Sequence, residues 1–184
     1  WKISPESYVG VHCDNVWWSS YLGNAVAVKG QYDVQIKLPN PPPRPYEIRL
    51  AYVAGEERGV VQVYLNNEPC GIPVDLRLGR WNLPIDFNDY DLNDEEDSRA
   101  LDKTLRNLGY MLGPDSYGKP GAINFRVDAP EHQRRILTTA KFTEGEEYWL
   151  RFSQVLEGDA EWSFDYIELC PKSVYASAQG ENRH

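Results

Sequence analysis

Apolar and polar residues alternate with period two along much of this chain, the mark of strands with one face buried. The clearest run is Tyr46-Glu47-Ile48-Arg49-Leu50-Ala51-Tyr52-Val53. Upstream, Tyr32, Val34, Ile36 and Leu38 share one face of a strand over 31–38 that stops at Pro39. Residues 7–12 read as a strand, and Val16-Trp17-Trp18 starts another. After a stiff, proline-rich connector over 40–45, the run from Tyr46 leads through the turn Gly55-Glu56-Glu57-Arg58-Gly59 to a strand over 60–65. Asn66-Asn67 is the next turn, and Ile72-Pro73-Val74-Asp75-Leu76 is a third strand, held to an edge or a bulge by Pro73. These three runs predict an antiparallel meander. Two more strands, 148–155 and 162–169, flank the turn Glu157-Gly158-Asp159, and Pro171 stops the last.

The alternation fails over 84–140. Leu101, Leu105, Leu108 and Leu112 recur there at spacings of four, three and four, which places them on one face of a helix. Acids at its start suit the helix dipole, Gly109 or Gly113 suits its end, and Pro114 forbids continuation. The pattern therefore predicts a helix over roughly 94–109 inside a long insertion. Strands, turns and one inserted helix make an all-β sandwich, with the helix over a sheet edge or across one end. One domain over 1–172 is expected, with a frayed polar tail over 173–184.

Composition narrows the partners. With 184 residues the chain can bury one good core, and no stretch suggests a linker between two. The formal net charge of −9 repels phosphate backbones and anionic lipid surfaces, which argues against nucleic acid and membrane partners. No apolar run approaches the length of a membrane span. No leader pattern is visible; the chain begins at Trp1 and reads as a trimmed or mature fragment, so this says nothing about secretion. Three cysteines, Cys13, Cys70 and Cys170, leave at least one thiol outside any intrachain bridge, and spacing does not say which two would pair.

Three blocks carry a family likeness. Tyr46–Tyr52 followed by Val60–Leu65 and Ile72-Pro73-Val74-Asp75, then Tyr148-Trp149-Leu150-Arg151-Phe152, then Trp162-Ser163-Phe164-Asp165-Tyr166-Ile167-Glu168-Leu169 resemble, in that order, the jelly-roll (galactose-binding-like) carbohydrate-binding modules. In addition, Asn107-Leu108-Gly109-Tyr110-Met111-Leu112-Gly113-Pro114-Asp115-Ser116-Tyr117 with Arg134-Arg135-Ile136-Leu137 resembles the domain that follows fasciclin domains in Bacteroidetes surface lipoproteins. Together these cover about 46–169. The resemblance implies a jelly-roll β-sandwich, a place outside the cytoplasm at the cell surface or in the periplasm, and a role in adhesion or glycan binding. It supplies no catalytic residues.

Aromatic side chains are the natural sugar platforms, and Trp17, Trp18, Trp81, Trp149 and Trp162 are the candidates. Trp17 and Trp18 are adjacent, so on a strand they face opposite ways and one is exposed. Trp81 stands in the loop Gly79-Arg80-Trp81-Asn82. Against this stands the tendency of strand tryptophans to fill cores. Half-covering one indole stabilises by about 2–3 kcal/mol, and a millimolar complex needs about 4 kcal/mol.

Asp165 shares a strand face with Ile167 and Leu169 in strict alternation, and a carboxylate on a core face needs a counter-charge. The resemblance implies a structural calcium at this position, with Glu6 and Asp14 in the first strand as further ligands. A salt bridge to Arg49 or Arg151, or exposure at the strand end, is the plainer reading. The acidic stretch 86–97 fails the EF-hand pattern. Counted from Asp89, position six is Asp94 in place of glycine and position twelve is Ala100 in place of glutamate. A solvated acidic loop entering a helix fits better.

Nothing here marks an enzyme. His12, His132 and His184 show no metal-ligand spacing, and no nucleophile elbow, phosphate loop or dinucleotide fingerprint occurs. The expectation is a non-catalytic surface module for glycan binding or adhesion. The alternatives are a purely structural domain beside a fasciclin-like neighbour, and, least favoured, a glycan-processing enzyme.

Overall fold

The structure is a computed structural model that describes residues 2–3, 7–13, 24–78, 82–91, 93–110 and 132–175. Among these are eleven strands, β1 (Lys2–Ile3), β2 (Ser7–Cys13), β3 (Asn24–Gly30), β4 (Asp33–Lys37), β5 (Pro45–Val53), β6 (Val60–Leu65), β7 (Glu68–Pro69), β8 (Val74–Asp75), β9 (His132–Lys141), β10 (Trp149–Gln154) and β11 (Ala160–Pro171). They form two antiparallel sheets. One has five strands in the order β2-β3-β11-β5-β9; the other has six, β1-β4-β10-β6-β7, with β8 also on β6. The chain is an all-β sandwich, and from β3 to β6, and again from β9 to β11, each connection carries it to the opposite sheet.

That crossing corrects the meander. β5 pairs with β11 and β9, whereas β6 pairs with β10, β7 and β8, so the turn at 55–59 bridges the layers and does not close a hairpin. Local alternation is identical in both cases; only the partner differs. The true hairpin is β6–β7, where Leu65 faces Glu68 across Asn66 and Asn67. Both asparagines have positive φ, 49° and 71°, as a type I′ turn demands. β8 reduces to two residues on the edge beyond Pro73.

Inward residues of both sheets make one core. Tyr32, Val34, Ile36 and Leu38 all enter it, as their spacing predicts. Trp162 sits at its centre, with ring centroids 4.3 Å from Phe152 and 4.6 Å from Phe164. β5 is buried on both faces. Its Tyr46, Ile48, Leu50 and Tyr52 join the core, while Glu47 and Arg49 are buried as an ion pair that also engages Glu168 and, from the insertion, Arg106.

Helix α1 (Glu95–Asn107) lies inside the predicted bounds. Asp94 caps its start by accepting from the N–H groups of Glu96 and Asp97. Gly109, at φ 82°, ends it. The N–H of Gly109 donates to Arg106 O and that of Tyr110 to Leu105 O, a Schellman closure. Leu101, Leu105 and Tyr110 form a second, smaller core with Leu83, Ile85, Phe87 and Tyr90. Leu108 does not join it; it is the C-cap and is exposed, because the helix stops one residue before it. Leu112 and Gly113 lie outside the described residues.

The insertion ends earlier than expected. β9 occupies the last ten residues or so of the stretch read as insertion and pairs along the whole of β5 as the edge of the five-stranded sheet. Its alternation is hidden by a bulge between the positions facing Ile48 and Arg49. β3, with its small Ala25 and Ala27, was also silent in the pattern. At the other end, Lys172–Tyr175 forms one helical turn, α2, against β5 and β11 where fraying was expected. Residues 176–184 lie outside the described residues.

Candidate functional site

The outward face of the six-stranded sheet carries a shallow open depression of about 300 Å³, lined by Lys2, Gln35, Asn66, Asn67, Glu147, Trp149 and Arg151. Strand alternation builds it. On β10, Leu150, Phe152 and Gln154 are buried, so Trp149, Arg151 and Ser153 face out. Register then sets Arg151 between Gln35 of β4 and Tyr64 of β6, and Trp149 opposite Lys37.

Trp149 is half-buried and firmly placed. Its backbone N–H donates to Asn66 Oδ1 at 2.8 Å, and its backbone carbonyl accepts from the backbone N–H of Asn66 at 2.9 Å. Asn66 Nδ2 also donates to Glu147 O at 3.1 Å. The β6–β7 turn is thereby tied to the start of β10. The Lys2 ammonium lies over the indole, 4.5 Å from the ring centroid.

Charge on this face is mostly paired. Arg151 grips Asp33 through two nitrogens, Nε to Oδ1 at 2.8 Å and Nη2 to Oδ2, and stacks 5.0 Å from the Tyr64 centroid. Asp33 beside it holds Arg151 more firmly charged against the cost of burial. Lys37 pairs with Glu147 and holds that carboxyl below the usual glutamate range. An aromatic platform ringed by amides and charged groups can hold a polyol by stacking and hydrogen bonds.

The structure separates the five tryptophans. Trp162 is wholly buried, with no face to offer a ligand, and its candidacy as a sugar contact is corrected: the layer between the sheets needs its bulk. Trp149 alone of the five stands on an open face among the described residues; Trp17, Trp18 and Trp81 lie outside them. So do Glu6 and Asp14, and the side chain of Asp165. The backbone at Asp165 is informative. Register shifts between Phe164 and Tyr166, so strict alternation breaks at this residue and the shared face with Ile167 and Leu169 no longer follows from spacing. The salt-bridge partners considered for Asp165 have carboxylates of their own, Arg49 with Glu47 and Glu168, and Arg151 with Asp33.

The acidic stretch serves the backbone. Asp86, Asp91 and Asp94 accept from N–H groups two or three residues on, and Asp97 accepts from the N–H of Asp91. No group of three His, Cys, Asp or Glu suited to a metal occurs among the described residues. Cys70 and Cys170 are thiols, and burial pushes that of Cys70 up. The sequence reading missed Lys2, Gln35, Tyr64, Asn66 and Arg151 as neighbours of Trp149. Outward alternation flags Arg151 and Tyr64, but only the pairing of strands far apart in sequence brings them together.

No helix among the described residues is long and apolar enough to cross a membrane. No family model matches the chain, and no curated protein does. Among solved structures, a Paenibacillus xanthan lyase is similar over 92% of this chain, with a TM-score of 0.55 and 11% identity. The match takes up only 12% of that longer protein, so the likeness is one of fold, shared with a single part of it.

Proposed function

We propose that this domain is a non-catalytic, cell-surface module that binds glycans weakly on the outward face of the six-stranded sheet. Trp149 is its platform. The observation that carries the reading is the half-buried indole of Trp149, whose backbone Asn66 fixes, beside an open depression of sugar-sized volume. The fold shared with part of a carbohydrate-active protein supports it, as does the likeness of the strand motifs to carbohydrate-binding modules. The finer resemblance adds a place beside fasciclin-like domains in a surface lipoprotein, where weak sites gain strength through repetition. One indole half-covered supplies about 2–3 kcal/mol, so affinity from this face is millimolar once a few hydrogen bonds are added.

The test is a glycan array followed by titration of the hits, with Trp149→Ala as control. The expected result is loss of binding in that variant with its melting temperature nearly unchanged. Binding that survives in Trp149→Ala, or silence across a broad panel at millimolar sugar, would leave a structural role beside a neighbouring domain as the better account.

A further inference from the structure

We infer that the sugar taken by the Trp149 face carries a carboxylate, placing the ligand in the uronic-acid class. The inference rests on the binding face proposed above and asks which sugars that face prefers. Three cations and two carboxylates stand around the depression. Arg151 is matched by Asp33 and Lys37 by Glu147. Lys2 remains: among the described residues it forms no salt bridge, its charge is felt by Glu147, which Lys37 already pairs, and its ammonium rests on the Trp149 ring at 4.5 Å. The face thus presents one cation in excess on a chain whose net charge is −9.

The location of that cation matters more than the count. Lys2 occupies the surface on which a sugar would stack. A neutral sugar must displace it and offers the ammonium only hydroxyls in exchange. A uronic acid lays its C–H face on the indole and gives the displaced ammonium a carboxylate partner. Lysine suits this exchange, being a flexible stem with three donors that reorient at little cost. The fixed Arg151–Asp33 pair does not compete, because Asp33 already engages two of its nitrogens. The preference is electrostatic and exposed, so it is modest and screened by salt.

The experiment pairs sugars that differ only at C6: trigalacturonate with galactotriose, and the matching gluco pair. Binding is followed through the indole N–H resonance of Trp149 in the wild type and Lys2→Gln, and the absence of that resonance in Trp149→Ala assigns it. The acidic member of a pair is expected to bind roughly two- to fivefold more tightly at low salt. That advantage is expected to vanish in Lys2→Gln and in high salt, with neutral-sugar affinity improved in Lys2→Gln because no ammonium has to be displaced. Equal affinity within both pairs, with Lys2→Gln altering neither, would overturn the charge preference while leaving the binding face standing. No response of Trp149 to any of the four sugars would bring down both.

Discussion

Two tryptophans one strand apart show how differently a residue can be used. Trp162 is in contact on several sides with Phe152, Phe164 and Tyr32. Trp149 has one side on the sheet and the other under Lys2. Trp162→Ala is therefore expected to cost about 3–5 kcal/mol in chemical denaturation, through lost burial plus the cavity. Trp149→Ala should cost less, about 1 kcal/mol, since the ring lies half-buried on the outer face of the sheet and its loss leaves no enclosed cavity. Comparable losses for the two would contradict the assignment of one to the core and the other to the surface. A titratable residue gives a second check. Burial raises the Glu161 carboxyl, but hydrogen bonds and charge from Lys29 and Arg58, the latter at 2.5 Å, outweigh it and the net shift is downward. A carboxylate whose folded value is depressed stabilises above its unfolded value, about pH 4.3, and that stability is lost as pH falls through the lower folded value. Stability plotted against pH should thus fall less steeply between about pH 5 and pH 3 for Glu161→Gln than for the wild type. Coincident slopes would show that the pairs contribute nothing measurable.

At the scale of elements, α1 was the most legible piece and the sheet edges the least. Its leucine spacing, the acid at Asp94 and the glycine at 109 each act within a few residues of where they stand, so the helix could be placed from sequence to within two residues at either end. Its stability should be set by the same ends. Asp94→Ala removes two accepted hydrogen bonds and is expected to cost about 1 kcal/mol. Gly109→Ala forces a β-carbon into a left-handed backbone at φ 82° and should cost about 1 kcal/mol. Both are measured as shifts of the denaturation midpoint, and hydrogen exchange should show the loss spreading through 95–110 before the sandwich. An unchanged midpoint in both variants would mean that docking through Ile136, whose N–H donates to Gly109 O at 2.8 Å, holds the segment without its caps. β9 and β3 were illegible for a different reason. A bulge interrupts β9, and β3 is rich in small residues, so neither displays the alternation that identified β4, β6 and β10. The candidate site shares that difficulty. Trp149 could be named from its strand, but Gln35 and Asn66 reach it only because β10 lies beside β4 and β6, more than eighty residues away, and Lys2 only because β1 lies on the far side of β4.

For the whole molecule, the same long pairings govern how it must assemble. β3 lies against β11, matching Val28 with Trp162, and β4 lies against β10, matching Val34 with Phe152. β5, between β11 and β9 in the five-stranded sheet, waits for both. Among the described strands, β2 with β3 and β6 with β7 and β8 pair with near neighbours in sequence. The ladders of β10 and β11, and that of β5 with β9, each require a large loop to be ordered before the contacts that offset it exist. A fold of this connectivity should therefore refold in milliseconds to seconds, even though an isolated helix such as α1 forms in about a microsecond. Stopped-flow fluorescence after dilution from denaturant reads this directly, because Trp162 on the central β11 becomes buried only when the two sheets close and bring Phe152 and Tyr32 onto it. Replacing it with phenylalanine identifies its share of the signal. The amplitude lost in Trp162→Phe should belong to the slow phase. If that amplitude instead disappears within the dead time, the central strand is enclosed before its distant partners arrive, and the order of assembly argued from the sheet registers is wrong.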